Sequence, residues 1–226
     1  MKNWVASVLP VLALMGCASP LRPTIPPSSA AAPASTPGNS VEQLAAAIAA
    51  EAKRSDTEPD SKVRSDLAAQ ASRDADACLA LEPQTAACLY GRAVALGLEA
   101  RAHPTRAGEL LKTMLGILAN AEAADPGYDE AGPARVTALV LIRAPGWPLG
   151  PGDADNGLLA ARRAATLQPD YPPNLLALAE ALKKTGDAGG SRRTYQRARD
   201  AAQALPPTAD REGWLRQADE ALRSAP

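Results

Sequence analysis

The run Leu175-Leu176-Ala177-Leu178-Ala179-Glu180-Ala181-Leu182, followed by Ser191, Tyr195 and Ala198, decides the fold. Leu175, Leu178, Ala179 and Leu182 recur in steps of three and four, which keeps them on one helical face. Ser191, Tyr195 and Ala198 repeat the four-three step. Two amphipathic helices therefore follow one another here.

The same ladder recurs upstream. Ala71, Ala75 and Cys78 precede Pro83; Met114, Leu118 and Ala121 precede Pro126; Gly157, Ala161 and Ala164 precede Pro169. These prolines lie 43 residues apart. A second apolar set follows: Leu89, Ala93 and Leu96 after Pro83, then Gly132, Val136 and Leu139 after Pro126. Proline ends one helix and is tolerated at the start of the next. The spacing predicts helices over 41–54, 62–82, 85–101, 105–124, 130–143, 154–167, 173–185, 188–204 and 208–223. Asp153 is placed to cap the sixth helix. The fold class is all-α: about four helix pairs plus a C-terminal capping helix within 41–226. The composition agrees. The chain has no Phe, few other aromatics and much Ala, which suits close-packed helices. Its formal net charge of −1 gives no electrostatic footprint for nucleic acid.

The ladder resembles the tetratricopeptide repeat, with W-x₂-L-G-x₂-Y on its first helix, A-x₃-F on its second and a closing proline. Leu175 to Ala198 fits the normal period. Two earlier repeats each carry nine extra residues near the turn between their helices. One insertion lies around His103-Pro104 and the other spans Ala144 to Asp153.

The N-terminus carries a different signal. Lys2 is followed by an uncharged stretch from Trp4 to Met15, interrupted by Pro10 and too short to span a bilayer. Leu14-Met15-Gly16-Cys17 resembles the lipobox of bacterial lipoproteins. That resemblance implies a signal peptide over 1–16 and lipid on Cys17. The alternative is a plain signal peptide with an incidental cysteine. Ala18 resembles the pattern that sorts enteric lipoproteins to the outer membrane. Residues 17–40, rich in Pro, Ala and Ser, read as a tether that cannot bury enough surface to offset its ordering entropy.

Catalytic constellations are lacking in the sequence. His103 is the only histidine and precedes Pro104 at a turn. No triad, zinc set, P-loop or nucleophile elbow is found, and the Gly150–Gly157 loop departs from the EF-hand pattern. We read the chain as a non-enzyme without metal or cofactor. Cys78 and Cys88 lie equidistant from Pro83, so the two helices of a hairpin would bring them face to face. An oxidising compartment would then allow a disulfide. The alternative is that Cys78 fills a small-residue slot in the ladder.

Gly132-Pro133-Ala134-Arg135, Arg143-Ala144-Pro145-Gly146-Trp147-Pro148 with Gly152-Asp153, and Pro169-Asp170-Tyr171-Pro172-Pro173-Asn174 resemble turns of the T-component lipoproteins of tripartite ATP-independent periplasmic transporters, the TatT-like family. The match covers about Asp125 to Ala198 and adds to the lipoprotein start. It implies a helical protein in the bacterial cell envelope, lipid-anchored to the outer membrane and facing the periplasm. Its implied partners are the membrane and a periplasmic solute-binding protein, with an apolar small molecule as cargo. Homo-oligomerisation stays open. An envelope-assembly or pilotin-like scaffold is the second reading.

In such an array the first helix of each pair lines the inner face. Tyr90, Val94, Leu98, Thr137, Leu141, Leu176 and Glu180 are the groove candidates. Arg135 is expected to pair with Asp153 and fasten the second insertion; holding a ligand carboxylate is its alternative role. Trp147 is either a partner anchor or a plug for the core. Tyr171 and Asn174 are expected to set a turn rather than touch a ligand.

Overall fold

Side chains that repeat every three or four residues need partners, and the chain supplies them by folding each helix back on the last. A computed structural model describes residues 40–224, all within one compact unit. The expected signal segment, Cys17 and the tether up to residue 39 lie outside the described residues.

Among the described residues nine α-helices follow in order: α1 (Val41–Thr57), α2 (Ser61–Leu81), α3 (Ala86–Ala102), α4 (Ala107–Ala124), α5 (Tyr128–Arg143), α6 (Ala154–Leu167), α7 (Pro172–Lys184), α8 (Ala188–Gln203) and α9 (Ala209–Arg223). The same residues hold no β-strand, only an isolated bridge between Gly146 and Gly152. No helix described is long and apolar enough to cross a membrane. The expected array of helical hairpins is thus the fold, with ends within a few residues of those read from the sequence.

Local chemistry sets those ends. Ser40 and Gln43 form a reciprocal capping box at α1. Asp60, Asp153, Asp187 and Thr208 each accept a backbone N–H at the start of α2, α6, α8 and α9. Gly186, at φ 92°, makes the tight turn between α7 and α8 that a residue with a Cβ would resist.

The helices form two layers. α1, α3, α5, α7 and α9 contact one another in sequence, whereas the even-numbered helices pack on their chain neighbours, α4 and α6 being joined besides by the Glu122–Arg163 ion pair. The odd helices are therefore the inner layer of a superhelix and the even ones its outer layer. Alanine makes the close approach possible: Ala71, Ala75, Ala93, Ala121, Ala138, Ala161, Ala164 and Ala198 are almost wholly buried at helix seams. A disulfide joins Cys78 to Cys88 across the α2–α3 turn, beneath Leu44 of α1.

One buried-edge carboxyl pair makes this packing pH-sensitive. Glu51 on α1 leaves its Oε2 buried without a hydrogen-bond partner. Burial, then the Asp74 carboxylate on α2, raises its pKa to about 7; Arg73 opposes the shift weakly. The folded chain therefore keeps a proton between pH 4.5 and 7 that the unfolded chain has released. Stability falls as pH rises through that window and the cost is complete above it. Glu51→Gln removes the charge at constant shape. It should raise stability at pH about 8 by about 1 kcal/mol after solvent screening, and leave it unchanged near pH 4. Thermal melts at the two pH values check this, and an equal effect at both would refute it.

Candidate functional site

The helix expected from 130 carries Pro133 inside it, and proline is tolerated only in a first turn. The chain resolves this with a left-handed turn. Asp129, Glu130 and Ala131 have φ of 49°, 53° and 63°, and right-handed α5 runs from Gly132. Each such non-glycine residue costs about 1–2 kcal/mol. Surrounding structure must therefore hold the turn in place.

Arg135 supplies most of that grip. Its Nη1 donates to Asp129 O at 3.1 Å, Glu130 O at 3.0 Å and Asn174 Oδ1 at 3.0 Å, and its Nη2 donates to Asp129 Oδ2 at 2.7 Å. Asn174, fully buried on α7, donates to Glu130 O at 2.9 Å, Ala164 O at 3.2 Å and Gln168 O at 3.4 Å. Three helices and one turn thus share two polar side chains. Tyr90 of α3 donates its hydroxyl to Asp129 Oδ2 at 2.9 Å. Burial pushes the Tyr90 phenol far above its ordinary value; Arg135 opposes this and Asp129 adds to it, so the group stays a neutral donor. Gly132 is required beside it, because a Cβ there would lie 2.8 Å from Asp129 Oδ2 and 2.9 Å from the Tyr90 ring. Tyr128 meets Tyr90 edge to face at 5.5 Å, Tyr171 meets Trp214 at 5.7 Å, and the Arg135 guanidinium stacks 5.3 Å from the Tyr171 ring.

Two clefts flank this hub on the inner layer. The first encloses about 230 Å³ between α1 and α3, lined by Ala45, Ile48, Ala49, Ala52, Tyr90 and Val94 and closed by Tyr128 and Asp129. The second, about 200 Å³, is lined by Arg135, Leu139, Arg143, Leu176 and Trp214. Lys53 of α1 pairs with Asp210 of α9 at 2.7 Å, a single exposed ion pair that links the first and last helices of the layer without packing them together.

The groove candidates divide. Tyr90 and Val94 line the first cleft, and Leu176 is the buried floor of the second. Glu180 pairs with Arg143 at 2.6 Å. Leu98 is a correction: it is buried against Ile48, Ala68 and Ala71 in the α1–α2–α3 core. Leu141 is another, because it packs on α6 at Gly157. Thr137 is half-buried and lines neither cleft. Arg135 does not pair with Asp153. That carboxylate caps α6, accepting from Asn156 N at 3.0 Å, while the guanidinium is consumed by Asp129 and Asn174. Trp147 plugs nothing: it is 91% exposed, and Leu149 beside it is 77% exposed. The two insertions meet along one edge of the array, around an open cleft lined by Pro104–Arg106 and Trp147–Asp153. Among the described residues no three His, Cys, Asp or Glu side chains converge to hold a metal ion.

Sequence reasoning misses Asp129 and the left-handed turn. Pro133 in the fourth position of the expected helix is the signal that could have found them.

Stacked hairpins in two layers define a tetratricopeptide-like helical-repeat protein. Among solved structures, the chain is similar to TTC0263, a thermophilic TPR protein in Thermus thermophilus. The TM-score is 0.55 and the identity 18%, over 81% of this chain and 92% of that one. At that identity the likeness shows the fold alone. No protein-family model and no curated protein matches the chain.

Proposed function

We propose that this is a non-catalytic, lipid-anchored protein of the bacterial envelope that docks another protein on its inner face. The observation that carries the reading is the first cleft. At about 230 Å³ it is smaller than the roughly 300–1,000 Å³ of small-molecule pockets, and its walls are apolar and aromatic. It suits one apolar anchor side chain of a partner better than a free ligand. Lipid on Cys17 would hold the array outside the cytoplasm, and it is the lipobox resemblance that supports this.

The accessory role in a tripartite transporter, with a periplasmic solute-binding protein as partner, draws support from a convergence. Gly132, Pro133, Arg135, Tyr171 and Asn174 carry the resemblance to that family. They come from two separate helix starts and build one hub beside the cleft.

Crosslinking the anchored protein in cells, followed by mass spectrometry of its partners, tests the reading. Ala49→Arg is the matched control. Ala49 is exposed at the cleft, and arginine is a good helix former, so the fold should survive. Partner recovery should fall at least about tenfold with an unchanged melting temperature. Unchanged recovery would exclude the cleft. Recovery of envelope-assembly factors alone would select the scaffold reading instead.

A further inference from the structure

The end of α7 and the exposed face of α8 carry a local excess of cations. Lys183 and Lys184 end α7, and Arg192, Arg193 and Arg197 project from α8; all five are exposed. Among the described residues none of them forms an ion pair; Arg54, Arg106, Lys112, Arg162, Arg216 and Arg223 also lack one, but those are scattered over α1, α4, α6, α9 and the turn before α4, whereas these five fall within 15 consecutive residues. The nearby acids are already engaged: Asp187 caps α8 through Gly190 N, and Asp200 pairs with Arg199. Helix physics explains only part of the set. Lysines at the end of α7 complement its dipole, but the arginines lie toward the start and middle of α8, where the dipole gives no help. Arg193 and Arg197 are four residues apart, a like-charge spacing that disfavours the helix. The chain as a whole has a net charge of −1, so the excess is local.

We infer that this basic face of α7 and α8 rests on an anionic lipid bilayer and sets the orientation of the array. The charge fits: a row of unpaired cations complements phosphate headgroups, and a bilayer takes an extended row without a shaped pocket. The bilayer as occupant rests on the proposed anchor at Cys17, which keeps one membrane surface within reach at all times. The roughly 20 residues between Cys17 and Ser40 can extend at most about 80 Å. That exceeds the length of any helix here, about 30 Å for the longest, so the anchor alone does not select a face. The basic row does. The arginines lie on outer-layer α8, and the lysines sit in the last turn of α7, beyond the Pro173, Leu176 and Ala177 that line the second cleft, so this contact leaves both inner clefts open for a protein partner.

The test uses the full chain with Cys17→Ser, so that no lipid is attached. It is sedimented with vesicles of phosphatidylethanolamine containing phosphatidylglycerol, and separately with phosphatidylcholine vesicles. The chain should sediment with the anionic vesicles only, and release as salt rises from about 0.05 M to about 0.5 M. Replacing Arg192, Arg193 and Arg197 by glutamine should weaken the partition about a hundredfold, about fivefold per residue, at unchanged melting temperature. Equal binding by the triple variant, equal binding to phosphatidylcholine, or no binding to anionic vesicles would overturn the inference. So would capture by polyglutamate but not by vesicles, which would assign the face to an acidic protein. Detergent-phase partition of the native chain against Cys17→Ser reports on the anchor separately, so either idea can fail alone.

Discussion

Arg135→Ala should lower the melting temperature by about 10 °C. The guanidinium donates at once to the Asp129 and Glu130 carbonyls, the Asp129 carboxylate and Asn174 Oδ1. Truncation leaves those acceptors facing a cavity and removes the cation that holds Asp129 at 2.7 Å. Asp129 is half-exposed, so the cost comes from the lost charge-assisted bond together with the buried Asn174 Oδ1 left without its donor, about 3 kcal/mol in all. In an array of this size each kcal/mol moves the melting temperature by about 2–4 °C. The left-handed turn adds to the effect, since the same side chain opposes the strain at Asp129, Glu130 and Ala131. Arg135→Lys keeps the charge but loses the planar fork, and should recover only part of the loss. A double-mutant cycle against Asp153→Ala should show no coupling, while one against Asn174→Ala should show strong coupling. An unchanged melting temperature together with lost partner binding would show that Arg135 serves a ligand instead.

The contrast between Asp153 and Asp129 explains what can be read from the chain. Periodicity is local, and it places every helix of the array. The ladder around Leu175 and the prolines at 83, 126 and 169 state the helix faces and their ends directly. Inner-face residues are harder. Stepping by four along α3 from Tyr90 reaches Val94, which does line the cleft. A further step to Leu98 has rotated by about 80° from Tyr90, because a helix advances about 100° per residue, and it lands in the core with Ile48. On α5 the starting point itself is off the clefts: Thr137 lines neither, and Leu141 one step on meets α6 at Gly157. Arg135 and Asp153 both belong to distinctive turns, which is all that suggests their pairing in the sequence. The real partners of Arg135 depend on three left-handed residues and on Asn174 from another helix pair, which no periodicity encodes. Trp147 is ambiguous in the sequence because an aromatic between prolines suits a plug or a prong equally.

Removing the Cys78–Cys88 bridge should cost about 3 kcal/mol and lower the melting temperature by roughly 8 °C. The bridge closes a short loop across the α2–α3 turn, so its effect through the unfolded chain is moderate. Both cysteines are fully buried, so Cys78→Ala with Cys88→Ala is the cleaner variant; serine would bury two hydroxyls without partners. Alanine also fits the ladder, where Ala121 and Ala164 hold, one and two repeats later, the slot that Cys78 holds. Reductant should reproduce the loss in the native chain and leave the double variant unaffected. Equal melting with and without reductant would refute the prediction. The consequence reaches the docking face. Leu44 of α1 packs on the bridge, and the same helix carries Ala45, Ile48 and Ala49 into the first cleft. Reduction should therefore loosen the cleft wall before it unfolds α5 to α9, whose contacts do not include the bridge. Hydrogen exchange would show this as faster opening of α1 and α2 than of α7. Uniform acceleration along the whole chain would mean that the array unfolds as one unit and that the bridge does not act locally on the cleft.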